Sequence, residues 1–225
     1  MGSDPVKDNF AQPDELPQHR VYVSEFFISK FEITHAQYAV YAQANNLPFE
    51  VHSAQANFPA VYVRWPEAMA FCEWLSQAIG KPVRLPTEAE WEKAARSTDG
   101  RLYPWGDQWD PTALNTSGDG ASDAMPVDAH SPAGDSPYGA ADMVGNVWEW
   151  TADWYAPDTY AERVMPFVKI SDPTGPATGS HRVMRGGSHF FRQSGTRAAR
   201  RFKYNPNYRC YDIGFRVVVA EAKHE

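Results

Sequence analysis

Between residues 142 and 155 the chain reads DMVGNVWEWTADWY, three tryptophans and a tyrosine interleaved with Asp142, Asn146, Glu149 and Asp153. Carboxylates and amides are the hard oxygen donors that calcium prefers, and indoles fill an interior once loops around such an ion are ordered. The other use of the same acids is to cap turns or pair with arginine. Sulfur and imidazole offer less. Cys72 and Cys210 are the only cysteines, far apart and outside any CxxC pattern, so neither a disulfide framework nor a cysteine zinc site is readable. The seven histidines show no HxxxH or HxxE spacing, which leaves an iron or zinc site of that kind without support. Ser188, in GGSH, has no hydrolase elbow around it and reads as satisfying a turn.

The elements that would position these residues fall in two styles. Residues 19–34 alternate β-branched and aromatic types and predict a strand or hairpin. Thr34 caps a short helix, Pro66 opens a helix that Gly80 and Pro82 stop, and Thr87 with Glu90 forms a capping box ahead of a third. Beyond Arg96 the chain turns to long Gly, Pro, Asp and Ser stretches without periodicity, and strand-like alternation returns at 181–191 and 211–220. Such loops need something to order them, and bound cations are a usual means. These observations predict one loop-rich α+β domain over residues 16–220, with 1–15 a flexible N-terminal segment or an added end and 221–225 a tail. No apolar run approaches the ~18 residues of a spanning helix, no signal-peptide core is visible, and the compartment stays open.

The net charge of −7 conceals an asymmetry: Arg182 to Arg216 holds eight Arg and one Lys against Asp212 alone, which is +8, and leaves −15 elsewhere. Internal ion pairing with the acidic remainder is the favoured reading. Nucleic-acid binding through the basic segment ranks last, since no recognition helix or stacking motif appears.

The ordered set RLPTEAEWEKAAR, YPWGD, GNVWEWTADWY, RVMRGGS and IGFRVV resembles the formylglycine-generating enzyme, or sulfatase-modifying factor, family across roughly residues 16 to 220. The resemblance implies a single irregular C-type lectin-like domain with structural calcium. Matched by position, one calcium site falls on Asp142 and Glu149 by side chain and on Gly145 and Val147 by carbonyl. The other falls on Asn115 and Asp119 by side chain, Asp123 being the substitute for Asp119, and on Thr116 and Ala121 by carbonyl. The family's enzymes hold copper on two cysteines after the GGS motif, soft thiolates being what Cu(I) requires. Here the first of those positions is Phe191, the second lies in a shortened segment, and no copper is expected. A branch that uses iron draws its histidines from a further domain absent here, and a periplasmic branch of siderophore maturation lacks the cysteines as this chain does.

Between the framework residues Arg185, Gly186, Gly187, Arg197, Arg201, Pro206, Gly214, Phe215 and Arg216 lies an unusual mixture. His189, Phe190, Phe191, Arg192, Ser194, Arg200, Phe202, Tyr204, Asn207, Tyr208, Cys210, Tyr211 and Asp212 have the composition of binding surfaces, where rigid aromatics supply area and Arg anchors. Lectin-fold proteins diversified by retroelements place variable ligand contacts in this same C-terminal segment, and these residue types fit the menu that such diversification gives. The expectation is a monomeric, non-catalytic domain that binds a protein or other macromolecule, with Phe190, Phe202, Tyr204, Tyr208 and Tyr211 partly exposed on one face. The alternative is an enzyme of the same superfamily acting by other oxidative chemistry.

Overall fold

The structure, a computed structural model, describes residues 1–49, 55–117, 123–164 and 170–219. The helices begin where local chemistry tells them to. After β1 (Phe27–Ile28), Thr34 caps α1 (His35–Ala44): its hydroxyl accepts from the Gln37 amide, and Gln37 returns a bond to the Thr34 amide. Pro66 sits in the first turn of α2 (Trp65–Ile79), which ends on Gly80 in the left-handed conformation at φ 66°. After β2 (Val83–Arg84), the Thr87–Glu90 capping box opens α3 (Glu88–Arg96), and Arg84 clamps the same Glu90 carboxylate through two 2.6 Å bonds.

The remaining elements are β3 (Trp148–Trp154), α4 (Thr159–Arg163), β4 (Arg182–Arg185), β5 (Arg201–Tyr204), β6 (Ile213–Gly214) and β7 (Val218–Val219). They make a four-stranded sheet in the order β5-β4-β3-β6 and a three-stranded one in the order β1-β7-β2. Of the strand or hairpin expected in residues 19–34, the strand is present and the hairpin is not. Their one strand, β1, pairs antiparallel with β7 from the far end of the chain. Alternation alone cannot say whether a strand's partner is near or distant in sequence.

Pleating gives the larger sheet two unlike faces, because successive side chains point to opposite sides. Trp150, Met184, Phe202 and Tyr204 share one, in register across β3, β4 and β5. This face packs on α1 and α2 through Tyr38, Phe71 and Phe215. Trp150 is fully buried and gives its indole N–H to the Val63 carbonyl at 2.9 Å, while Trp148 is buried beside it. Trp154, beyond a bulge, is half-buried and stacks on the Arg182 guanidinium at 3.5 Å, with Trp65 on the other side at 3.7 Å.

The opposite face is ionic. Arg185 reaches Glu88 at 3.0 Å and Glu92 at 2.8 Å, and Arg201 shares Glu88 at 2.7 Å, all of these groups being buried. Arg197 binds Asp8 and Glu15, and Glu15 also receives Arg200 at 3.3 Å. The basic segment is thus largely neutralised inside the protein, as the pairing reading expects. The same contacts correct the description of residues 1–15 as flexible: Ser3, Asp8 and Glu15 are buried, and this stretch supplies the acids that Arg197 needs.

Burial pushes the Glu88 carboxyl up, but Arg201 and Arg185 beside it outweigh that and hold it below the usual carboxylate range. A carboxyl depressed on folding contributes stability above its unfolded pKa and loses it as pH falls through the folded one. Glu88→Gln should therefore destabilise the protein by ~3–5 kcal/mol, the usual cost of stranding a buried partner. Urea unfolding at pH 7 checks this, and the difference between variant and parent should shrink as pH falls below 4.

Candidate functional site

The turn entering β3 is built from residues that tolerate left-handed backbone. Asp142, Gly145 and Asn146 have φ of 51°, 85° and 55°. Gly145 has a second reason to be glycine: a Cβ there would lie 2.5 Å from the Asn115 carbonyl oxygen. That closeness lets the Asn146 amide bond the same carbonyl at 3.0 Å. The two side chains also meet, Asn115 Nδ2 donating to Asn146 Oδ1 at 3.1 Å and to the Asp123 carbonyl at 3.0 Å.

The structure therefore joins the two predicted oxygen clusters through Asn115 and Asn146. Asp142 and Glu149 are both buried and near enough to repel. Burial, only partly offset by Arg216, pushes the Asp142 carboxyl up to about 7. Asp142 Oδ2 and Asn115 Oδ1 are buried without a hydrogen-bond partner among the described residues. Glu149 is more fully occupied: Arg216 grips both oxygens at 2.6 and 2.7 Å, and the Trp91 indole donates at 2.8 Å. Thr116 spends its hydroxyl on the Phe191 carbonyl. Asp119 and Ala121 lie outside the described residues. Among those described, no three His, Cys, Asp or Glu side chains converge as metal ligands, so carbonyls and amides would have to complete any shell.

One participant was invisible in the sequence. Glu32 is buried, accepts from Asn146 Nδ2 at 3.1 Å, and is held well above the carboxylate range by burial and by Asp142 and Glu149. The only signal was a single acid inside the apolar run FEIT, a pattern that solvent-facing acids in strands also give.

Phe191, at the position where the resemblance calls for a thiolate, packs edge-on against Trp148 at 5.3 Å between ring centroids. Cys72 and Cys210 are both free, and burial pushes the Cys72 thiol up to about 12. Two residues assigned to the exposed face lie beneath it instead. His189 is buried, its Nδ1 on the Asn146 carbonyl at 2.9 Å, because the GGSH turn folds it back over the 142–146 turn. Asp212 is buried because its carboxylate accepts from Ser188 at 2.8 Å and its carbonyl holds the Trp148 amide.

The other aromatics make one continuous run of rings. Phe190 meets Phe191 at 6.2 Å, and Phe202 lies within 6.3 Å of Phe191 and stacks on Trp148 at 4.9 Å. From Phe202 the run continues to Tyr204 at 6.5 Å, and Tyr204 stacks on Tyr208 at 3.9 Å. Phe190 is 65% exposed, Tyr208 38% and Tyr211 39%, while Phe202 and Tyr204 are half-buried. Arg192, Ser194 and Asn207 are exposed, and Arg200 and Cys210 half-buried. Tyr211 lies 5.7 Å from the His189 ring and, with Tyr62, Phe58, His35 and Asp123, lines a cavity of about 490 Å³. Arg185, Arg197, Arg201 and Arg216 are interior, as framework residues should be.

Short strands, long ordered turns and a C-terminal segment exposing rings define an irregular α+β scaffold of the C-type lectin-like, formylglycine-generating enzyme type. The Sulfatase-modifying factor enzyme 1-like domain matches residues 1–221, and the chain belongs to that family. It is 31% identical over 279 residues to the formylglycine-generating enzyme of Thermomonospora curvata, covering 96% of this chain and 88% of that protein. It is 40% identical over 181 residues to the Streptomyces coelicolor enzyme of the same name, of which it spans only 53%. The chain also resembles the inactive C-alpha-formylglycine-generating enzyme 2 of Bos taurus, 40% identical over 56% of this chain and 42% of that one. Among solved structures, PvdO from Pseudomonas aeruginosa superposes with a TM-score of 0.83 at 26% identity, covering 97% of this chain and 89% of that one. Treponema denticola variable protein 1 superposes at 0.74 and 26%, covering 89% and 86%. Among the described residues no helix is long and apolar enough to cross a membrane.

The Gly145 geometry gives a direct expectation. Gly145→Ala should cost at least ~2 kcal/mol in thermal or urea unfolding, since a left-handed side chain meets backbone rather than a yielding side chain.

Proposed function

We propose that this chain is a non-catalytic binding domain whose C-terminal aromatic run docks a protein partner, over turns ordered by calcium. The observation that carries it is the continuous, partly exposed succession of Phe190, Phe191, Phe202, Tyr204 and Tyr208 on a sheet whose other face is locked by ion pairs. Rigid rings bind with little loss of side-chain freedom, and Arg192 and Arg209 stand exposed in the same segment as polar anchors. The likeness to a protein named as variable supports a face that changes while its frame persists. The retroelement origin suggested by the residue menu belongs to the same reading. Phe191 on a thiol position argues against copper chemistry.

For calcium, the fit rests on Asp142 Oδ2 and Asn115 Oδ1, buried oxygens with no donor to satisfy them among the described residues. Glu149 has acceptor capacity left on Oε1, which takes one Arg216 bond, whereas Oε2 takes two. Asp142, Glu149 and Asn115 would hold the ion, with the Gly145 and Val147 carbonyls. Its role would be to order these turns, because three buried carboxylates face one guanidinium, that of Arg216.

Two measurements decide. Chelation should lower the melting temperature of the parent by several degrees and leave Asp142→Asn unmoved; an unchanged parent would remove calcium from the account. Phe190→Ser with Tyr208→Ser should melt within about 2 °C of the parent, because both rings are exposed. The same pair should reduce binding to selected protein partners by at least tenfold, and equal binding would remove the face.

A further inference from the structure

We infer that the outer edge of β5 is a docking site for an extended acidic peptide, which adds to the four-stranded sheet as a fifth strand. This rests on the binding-face reading and deepens it, since the added strand would run along the flank of the aromatic rings.

The edge itself is the first observation. β5 is the terminal strand, each of its four residues is in register with β4, and the backbone groups turned away from β4 have no protein partner among the described residues. An edge with unsatisfied N–H and C=O groups is a template for another extended chain. Space is the second. A cavity of about 410 Å³ lies along this strand, lined among others by Pro13, Tyr155, Pro157, Arg200, Phe202 and Lys203.

Charge selects the occupant. A second copy pairing through the same edge would bring Arg200 and Lys203 of each copy together, and like charges facing across strands are destabilising. Lys203 is exposed, lies 4.1 Å above the Tyr155 ring, and has no carboxylate partner among the described residues. Arg200 keeps a fifth of its side chain exposed while touching Glu15. Two acids also line the cavity, Asp14, which accepts from the Tyr155 hydroxyl at 2.8 Å, and the exposed Asp158, so the pull on an acidic side chain is confined to the part of the edge at Lys203. Strand geometry then fixes the pattern. Side chains on one side of the incoming peptide meet Phe202 and Tyr204 and should be apolar, and those on the other approach Lys203 and should be acidic.

The probe is a set of linear twelve-residue peptides selected from a random phage-displayed library against the full chain. Winners should alternate apolar and acidic residues and slow hydrogen exchange of β5 amides at least tenfold. They should lose at least tenfold in affinity on N-methylation at alternate positions, and similarly against Lys203→Glu with an unchanged melting curve. Peptides that bind without protecting β5 and tolerate N-methylation at every position overturn the added strand while leaving the aromatic face standing. If a selection yields no binders, or only ones indifferent to both Lys203→Glu and the ring substitutions, the edge is not a docking site.

Discussion

Buried guanidinium groups do here what long hydrogen-bonded ladders do in more regular proteins. Four arginines, Arg185, Arg197, Arg201 and Arg216, are essentially inaccessible, and each is fixed by carboxylates from distant parts of the chain. A planar fork of donors binds two carboxylates or carbonyls at defined angles, so one arginine sets the relative placement of several loops. Arg216 alone ties Glu149 in β3 to the carbonyls of Ser29, Lys30 and Ala141. Replacing such groups with hydrocarbon could leave stability unchanged, but strands of two to seven residues would then lack what orients them.

That division of labour explains why a loop-rich chain can present a stiff surface. The ionic side of the larger sheet admits no rearrangement without stranding a charge, so the aromatic side is held from behind. Rings on such a support keep their positions in the free protein, and the ordering cost of association falls. The half-buried Phe202 and Tyr204 are seated on this support, while Phe190 and Tyr208 extend from it.

What the sequence disclosed was local chemistry and fixed wording. Thr34, Thr87 and Gly80 mark helix ends because a cap is decided within four residues, and the GNVWEW and GFR motifs brought the family with them. What it concealed were pairings across long separations. Arg197 meets Asp8 across 189 residues, and nothing in the composition of residues 1–15 distinguishes acids that enter a core from acids on a mobile end. His189 and Asp212 were misplaced for a related reason. In a segment of turns no periodicity separates inward from outward positions, and burial was decided by single bonds to Asn146 and Ser188. Glu32 escaped because its acidic neighbours Asp142 and Glu149 arrive from more than a hundred residues away.

The contacts of the exposed rings show why the face can change without loss of the frame. Phe190 and Tyr208 meet other members of the same surface, Tyr211 lies against the buried His189 ring, and the layer below them is closed by Trp148, Trp150 and Met184. A substitution at an outer ring therefore opens no cavity in the core, whereas one at Trp148 would. The constraint on Phe191 is intermediate, since its ring touches Trp148 below and Phe190 above. A smaller side chain at that position would uncover the edge of the Trp148 ring. Packing thus favours an aromatic at this position.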